Sequence, residues 1–199
     1  MRKIIVLSLF LFPILANAQY FGRNKPRYKT FDFKVKETPH YNLYYYTKNK
    51  EAVDWFAQDS ELWYDFFSDI LYHEIPFKNP ILMYENHADF QQTNAISGAI
   101  GVGTGGVTEG FKNRVVMPLT FTNQQTHQVL GHELVHAFQF NIVIGGEGTS
   151  IRNMGNLPLW LVEGMAEYLS IGRVDPFTAM WMRRAIMKDD IPTLSLIHI

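Results

Sequence analysis

Positions 132 to 136 read His-Glu-Leu-Val-His inside an apolar stretch containing Val129, Leu130, Leu134, Val135 and Phe138, a pattern suited to a helix buried on nearly all sides. Thr122-Asn123-Gln124-Gln125 supplies a capping box just upstream, so the helix is predicted to run from there to about Asn141. Spacing of i, i+4 places His132 and His136 one turn apart on the same face, where two imidazoles can share a metal ion. Imidazole and carboxylate donors favour Zn2+, and three protein ligands plus water fit a tetrahedral catalytic site. Glu133, next to the first ligand, is suited to act as general base toward a metal-bound water. A chance H-E-x-x-H in a chain with this many His and Glu residues has a probability on the order of one in a hundred.

A third protein ligand is then required, and the segment Trp160-Leu161-Val162-Glu163-Gly164-Met165-Ala166-Glu167-Tyr168 is the best place to look for it. Pro158 suits the first turn of this second helix and Gly172 its end. Glu167 lies one turn beyond Glu163 on the same face, where it can accept the outer N–H of a metal-bound histidine. Gly164 and Ala166 are small, as expected where two helices approach closely.

HELVH followed by WLVEGMAEY resembles the gluzincins, zinc metallopeptidases in which the Glu of the second segment is the third ligand. Further likeness to the bacterial peptidase-MA-like group covers the YFGRNK lead-in, TPHYNLYYY, ADFQQTN, GAIGVGTGGVTEG, HELVHAFQ and PLWLVEGMAEY. The resemblance implies a zincin-like α+β fold: a mixed sheet with an edge strand beside the buried HExxH helix, and a second helix bearing Glu163. It implies His132, His136 and Glu163 as zinc ligands and Glu133 as the catalytic base. Gly98, Ala99, Ile100, Gly101, Val102 and Gly103 are expected to form the edge strand that pairs with peptide substrate. Members of this group often continue into a TolB-like β-propeller, so such a domain is an expected neighbour in a longer parent. Zinc aminopeptidases of this class keep a G-A-M-E-N strand whose Glu holds the substrate's free amine. The comparable Gly98-Ala99-Ile100-Gly101-Val102 has no acid, which favours an endopeptidase. The spacer between His136 and Glu163 is also longer than theirs, with the Gly145 to Asn156 loop as the apparent insertion. The alternative is a catalytically inactive zincin-fold binding module of a larger cell-envelope protein.

The remaining pattern supplies the sheet and its cover. Phe31 to Val35 alternates apolar with polar, Tyr41 to Tyr46 is β-prone, and Thr38-Pro39 between them suggests a hairpin. Glu51 to Leu71 lacks Gly and Pro and places Ala52, Phe56, Trp63, Phe67, Ile70 and Leu71 on one broad helical face. Ile81 to Tyr84 and Val115 to Met117 read as short strands, and Asn86-x-x-Asp89 as a helix cap. Residues 101 to 106, GVGTGG, match a nucleotide-binding glycine pattern formally, but no helix follows to receive a pyrophosphate. Asp175-Pro176 opens a last helix through about Lys188.

The two ends carry expectations of their own. Arg2 and Lys3 precede the apolar run Ile4 to Leu15, and Ala16-Asn17-Ala18 fits a signal-peptidase site, so residues 1–18 read as a signal peptide. The run is too short to span a bilayer, and the mature chain is expected to be secreted or held in the periplasm or cell envelope with no membrane span. A catalytic domain over 19–193 follows, cut short before a tail, 194–199, that reads as an artefactual end. The absence of cysteine leaves stability to the core and a metal. With 18 basic and 19 acidic residues and no run of one sign, no nucleic-acid partner is expected. His127 is expected to be a solvated residue at the helix start, and His40, His73 and His87 have no ligand partners at useful spacing.

Overall fold

The structure is a computed structural model that describes residues 25–144 and 157–191. The expected signal peptide, the Gly145 to Asn156 loop and the tail 194–199 lie outside the described residues. Five strands form one mixed sheet: β1 (Lys34–Glu37), β2 (Tyr41–Tyr45), β3 (Asn79–Tyr84), β4 (Val107–Glu109) and β5 (Arg114–Pro118), in the order β1-β2-β3-β5-β4. β2, β3 and β5 run parallel, while β1 and β4 pair antiparallel at the two edges.

Period-2 alternation in the three central strands makes two cores. Leu43, Ile81, Met83, Val115 and Met117 face the main core, made with helices α1 (Lys50–Leu71) and α3 (Asn123–Ile144). Tyr84 and Val116 face the other way, onto Phe90, Ile100 and an aromatic group that includes Phe31, Phe33 and Tyr46. Short helix α2 (His87–Phe90) lies on this second side, capped as expected by Asn86, whose side chain accepts from the Asp89 N–H at 2.9 Å. Asp89 is anchored in turn by the Tyr46 hydroxyl at 2.6 Å and the Lys29 ammonium at 2.9 Å. Burial pushes its pKa up, but these two partners outweigh burial and hold the carboxyl below its ordinary value.

α1 begins at Asn49, which accepts from the Ala52 N–H, and buries Val53, Phe56, Ala57, Ser60, Trp63, Tyr64 and Phe67. Ile70, expected on that face, is exposed because the buried stripe ends at Phe67. α3 follows Thr122, whose hydroxyl accepts from the Gln125 N–H at 3.1 Å, and is buried around most of its circumference. The two helices meet where Gly131 faces Trp63: a Cβ on Gly131 would stand 2.6 Å from the indole ring, so this contact needs glycine. Trp63 also donates its N–H to the His127 carbonyl at 3.1 Å and stacks on the His127 ring. His127 is half-exposed, but it is more tied down than the solvated residue expected from the sequence, since its Nδ1 also lies 2.7 Å from buried Asp59.

Two further helices complete the described chain, α4 (Leu159–Ile171) and α5 (Pro176–Lys188). α4 packs on α3 and buries Ala166, whereas Gly164 faces open space and is not the close-approach residue its size suggested. α5 opens with Asp175 accepting from the Thr178 N–H, as its sequence predicts, and buries none of its residues.

The edge strand beside α3 is β4, not the segment expected to form it. Gly98, Ala99, Ile100, Gly101, Val102 and Gly103 make a loop, with a left-handed Gly98 (φ 89°) and a turn closed by Thr104 N–H on the Gly101 carbonyl. Glycine supplies no side chain to alternate between faces, and the β-branched pair Val107-Thr108 a few residues on takes the strand instead. Among the described residues no helix is long and apolar enough to cross a membrane.

Candidate active site

The main core takes up the apolar side of α3. Leu130, Leu134, Val135, Ala137 and Phe138 are fully buried, leaving His132 and His136 together on the remaining face. Their Nε2 atoms are 3.2 Å apart, with the rings nearly perpendicular. α4 crosses over this face and brings Glu163, whose Oε2 lies 3.4 Å from His132 Nε2 and 3.5 Å from His136 Nε2. Among the described residues, these three alone converge as a set of possible metal donors.

The three separations test the fit of a zinc ion. Tetrahedral bonds of about 2.0–2.1 Å separate neighbouring ligand atoms by roughly 3.3–3.4 Å. The observed edges of 3.2, 3.4 and 3.5 Å are those of one face of such a tetrahedron. The donor set, two imidazoles and one carboxylate, is the kind that leaves a fourth position for water or substrate. The outer nitrogens of both rings have partners as well. Glu167 Oε2 stands 3.3 Å from His132 Nδ1, as the one-turn spacing from Glu163 anticipated. Gln139 Oε1 lies 2.8 Å from His136 Nδ1, and the same amide donates to the Val162 carbonyl at 3.0 Å.

Glu133 sits beside this triangle, buried between α3 and β4. Thr108 pairs with Val115 in the sheet and so faces the main core, which aims its hydroxyl at α3. It reaches the Glu133 carboxylate at 2.7 Å and the Glu133 backbone carbonyl at 2.9 Å. Gly106 gives the carboxylate room, because a Cβ there would come within 2.7 Å of the Glu133 side chain. Burial raises the Glu133 pKa, and the Glu163 carboxylate adds to the rise, against the opposing effects of Thr108 and His136.

These groups, Gln139 apart, open into one cleft of about 940 Å3, floored by α3 and walled by Gly103 to Thr108 on one side and by α4 on the other. His132, Glu133, His136, Glu163 and Glu167 line it together; of the six residues expected as an edge strand, Gly103 alone does. Sequence reasoning missed Thr108, Gly106 and Gln139. Gln139 had a signal, since i+3 from His136 on a helix is within reach. Thr108 and Gly106 had none without the strand register.

A family described as peptidases of plants and bacteria has a model that matches residues 78–190, more than half of the chain. The match runs from the start of β3 past the end of α5 and includes His132, Glu133, His136 and Glu163. No curated protein and no solved structure is significantly similar to the chain.

Proposed function

The chain belongs to the family of peptidases of plants and bacteria, and from that premise we propose that it is a zinc-dependent endopeptidase with a zincin-like fold and a gluzincin ligand set. The observation that carries this reading is the triangle of donor atoms made by His132, His136 and Glu163, with edges suited to zinc. Zinc, when bound, supplies a water of lowered pKa and a Lewis acid for the scissile carbonyl. Glu133 would serve as the general base, its carboxylate accepting a proton from the attacking water and passing it to the departing amine. Thr108 holds the Glu133 carboxylate against β4 so that proton transfer needs no side-chain search. His132 and His136 present Nε2 to the ion, with Glu167 and Gln139 at their outer nitrogens.

Among the described residues β4 pairs with β5 along one edge only, and its other edge offers backbone groups on which an extended peptide can add as a strand. Thr108 lines the cleft and Glu109, its neighbour on the strand, does not, as strand alternation requires. Glu109, the one acid on this strand, is paired with Arg114. An acid so placed does not anchor a substrate's free amine, which favours cleavage within chains over removal of N-terminal residues. Export through a signal peptide over residues 1–18 rests on the pattern of those residues, a β-propeller in a longer parent rests on the sequence resemblance, and both belong to the same proposal.

The test is hydrolysis of a diverse peptide library by the purified protein and by Glu133→Gln. The wild type should hold about one zinc per chain and cleave internal bonds, and Glu133→Gln should keep the zinc and lose cleavage. Hydrolysis by Glu133→Gln at the wild-type rate would overturn the mechanism. A zinc-bound wild type that cleaves nothing would favour the non-catalytic binding module.

A further inference from the structure

We infer that Gln139 is a positioning residue that fixes the proton of His136 on Nδ1 and ties that ring to the helix carrying Glu163. The Val162 carbonyl oxygen can only accept, so the end of the Gln139 amide that faces it at 3.0 Å must be the NH2 group. The other end, 2.8 Å from His136 Nδ1, is then the amide oxygen, which also can only accept. His136 Nδ1 must therefore carry a proton, and in the neutral ring this leaves Nε2 as a bare lone pair directed at His132 and Glu163. A backbone carbonyl on α4 thus sets the tautomer of a side chain on α3 through one buried amide.

The same two bonds act on geometry. Val162 precedes Glu163, so the amide that orients His136 also holds the backbone from which the third donor projects. Gln139 is buried, and losing either bond would strand a polar group away from water. Free neutral histidine favours the opposite tautomer, with the proton on Nε2, where it blocks metal binding by that nitrogen. Gln139 removes this competing form before any ion arrives.

This inference rests on the proposed zinc site for its consequence, but its first test does not. The metal-free protein is labelled at histidine nitrogen and its ring tautomers are read by NMR at about pH 9, above the usual imidazole range. In the wild type His136 should hold its proton on Nδ1, and in Gln139→Met, which matches the length but neither donates nor accepts through an amide, the Nε2–H form should rise. A second titration uses zinc with a competing chelator. Gln139→Met should bind zinc about 10–100-fold more weakly than the wild type, with kcat falling more than KM. An Nε2–H tautomer in the wild type, or zinc affinity unchanged in a folded Gln139→Met, would overturn the inference. If Gln139→Met fails to fold, the wild-type tautomer decides alone. A wild type that binds no zinc while showing the Nδ1–H form would defeat the zinc reading and uphold the tautomer assignment.

Discussion

Replacing Gly106 by alanine should disable the enzyme without unfolding it. The φ of Gly106 lies outside the left-handed region, so alanine meets no backbone strain there. Its methyl group, however, would stand 2.7 Å from Glu133 Cγ, 2.9 Å from Oε1 and 3.0 Å from Cδ, where ordinary contact begins near 3.4 Å. The Glu133 side chain must then retreat from β4 by about 0.7 Å, the difference between 3.4 and 2.7 Å. A general base works within a window of roughly 2.6–3.2 Å from the atom whose proton it takes, so this shift crosses the whole window. Misplacement on this scale costs about 10²-fold in kcat, or about 2.7 kcal/mol of barrier. Stability should change by no more than about 1 kcal/mol, because the entropy lost by the unfolded chain on Gly→Ala offsets the weakened Thr108 contact. Steady-state hydrolysis of a fluorogenic peptide beside thermal unfolding separates the two effects. Wild-type kcat in Gly106→Ala would refute the placement of Glu133, and so would a loss of activity that merely follows a loss of fold.

Three other substitutions probe the frame around the site. Gly164→Ala adds a methyl group to an exposed helical position with nothing within 4 Å, and should raise stability by about 0.5–1 kcal/mol in denaturant titration. Gly131→Ala should cost about 1–3 kcal/mol in the same titration, because the ring it meets belongs to a Trp63 already wedged by Phe67 and His127. Asp89→Asn should lower stability at neutral pH by about 1–2 kcal/mol, since the hydrogen bond from Tyr46 and the Lys29 ion pair favour the charged form. The native pKa of Asp89 is depressed, so its contribution is fully present above the ordinary value of 3.8 and is lost as pH falls through the native one. The wild-type and Asp89→Asn melting curves should therefore converge in acid; parallel curves would contradict the anchor.

The helix carrying His132 and His136 was legible because its signals are local. A capping residue, an apolar pattern and an i, i+4 histidine pair all lie within one segment, and the cap at Thr122 and the histidine pair appear as read. Glu163 was legible through the resemblance of its segment to the gluzincins, and Glu167 through its spacing of one helical turn beyond it. The edge strand was misplaced because glycine-rich sequence carries no periodicity, and Val107-Thr108-Glu109 is too short to show one. Thr108 and Gly106 reach Glu133 through the pairing of β4 with β5, a contact set by register and by nothing in their immediate sequence. Gly131 illustrates the same limit. Its need for glycine arises from Trp63, which the chain places against it only once α1 and α3 have packed.

The central claim is that His132, His136 and Glu163 hold one zinc ion, and anomalous diffraction from zinc-loaded crystals at the zinc edge tests it most directly. The account predicts a single strong peak within about 2.0–2.2 Å of His132 Nε2, His136 Nε2 and a Glu163 carboxylate oxygen. A peak elsewhere, or one at the two histidines with Glu163 turned away from it, would contradict the account.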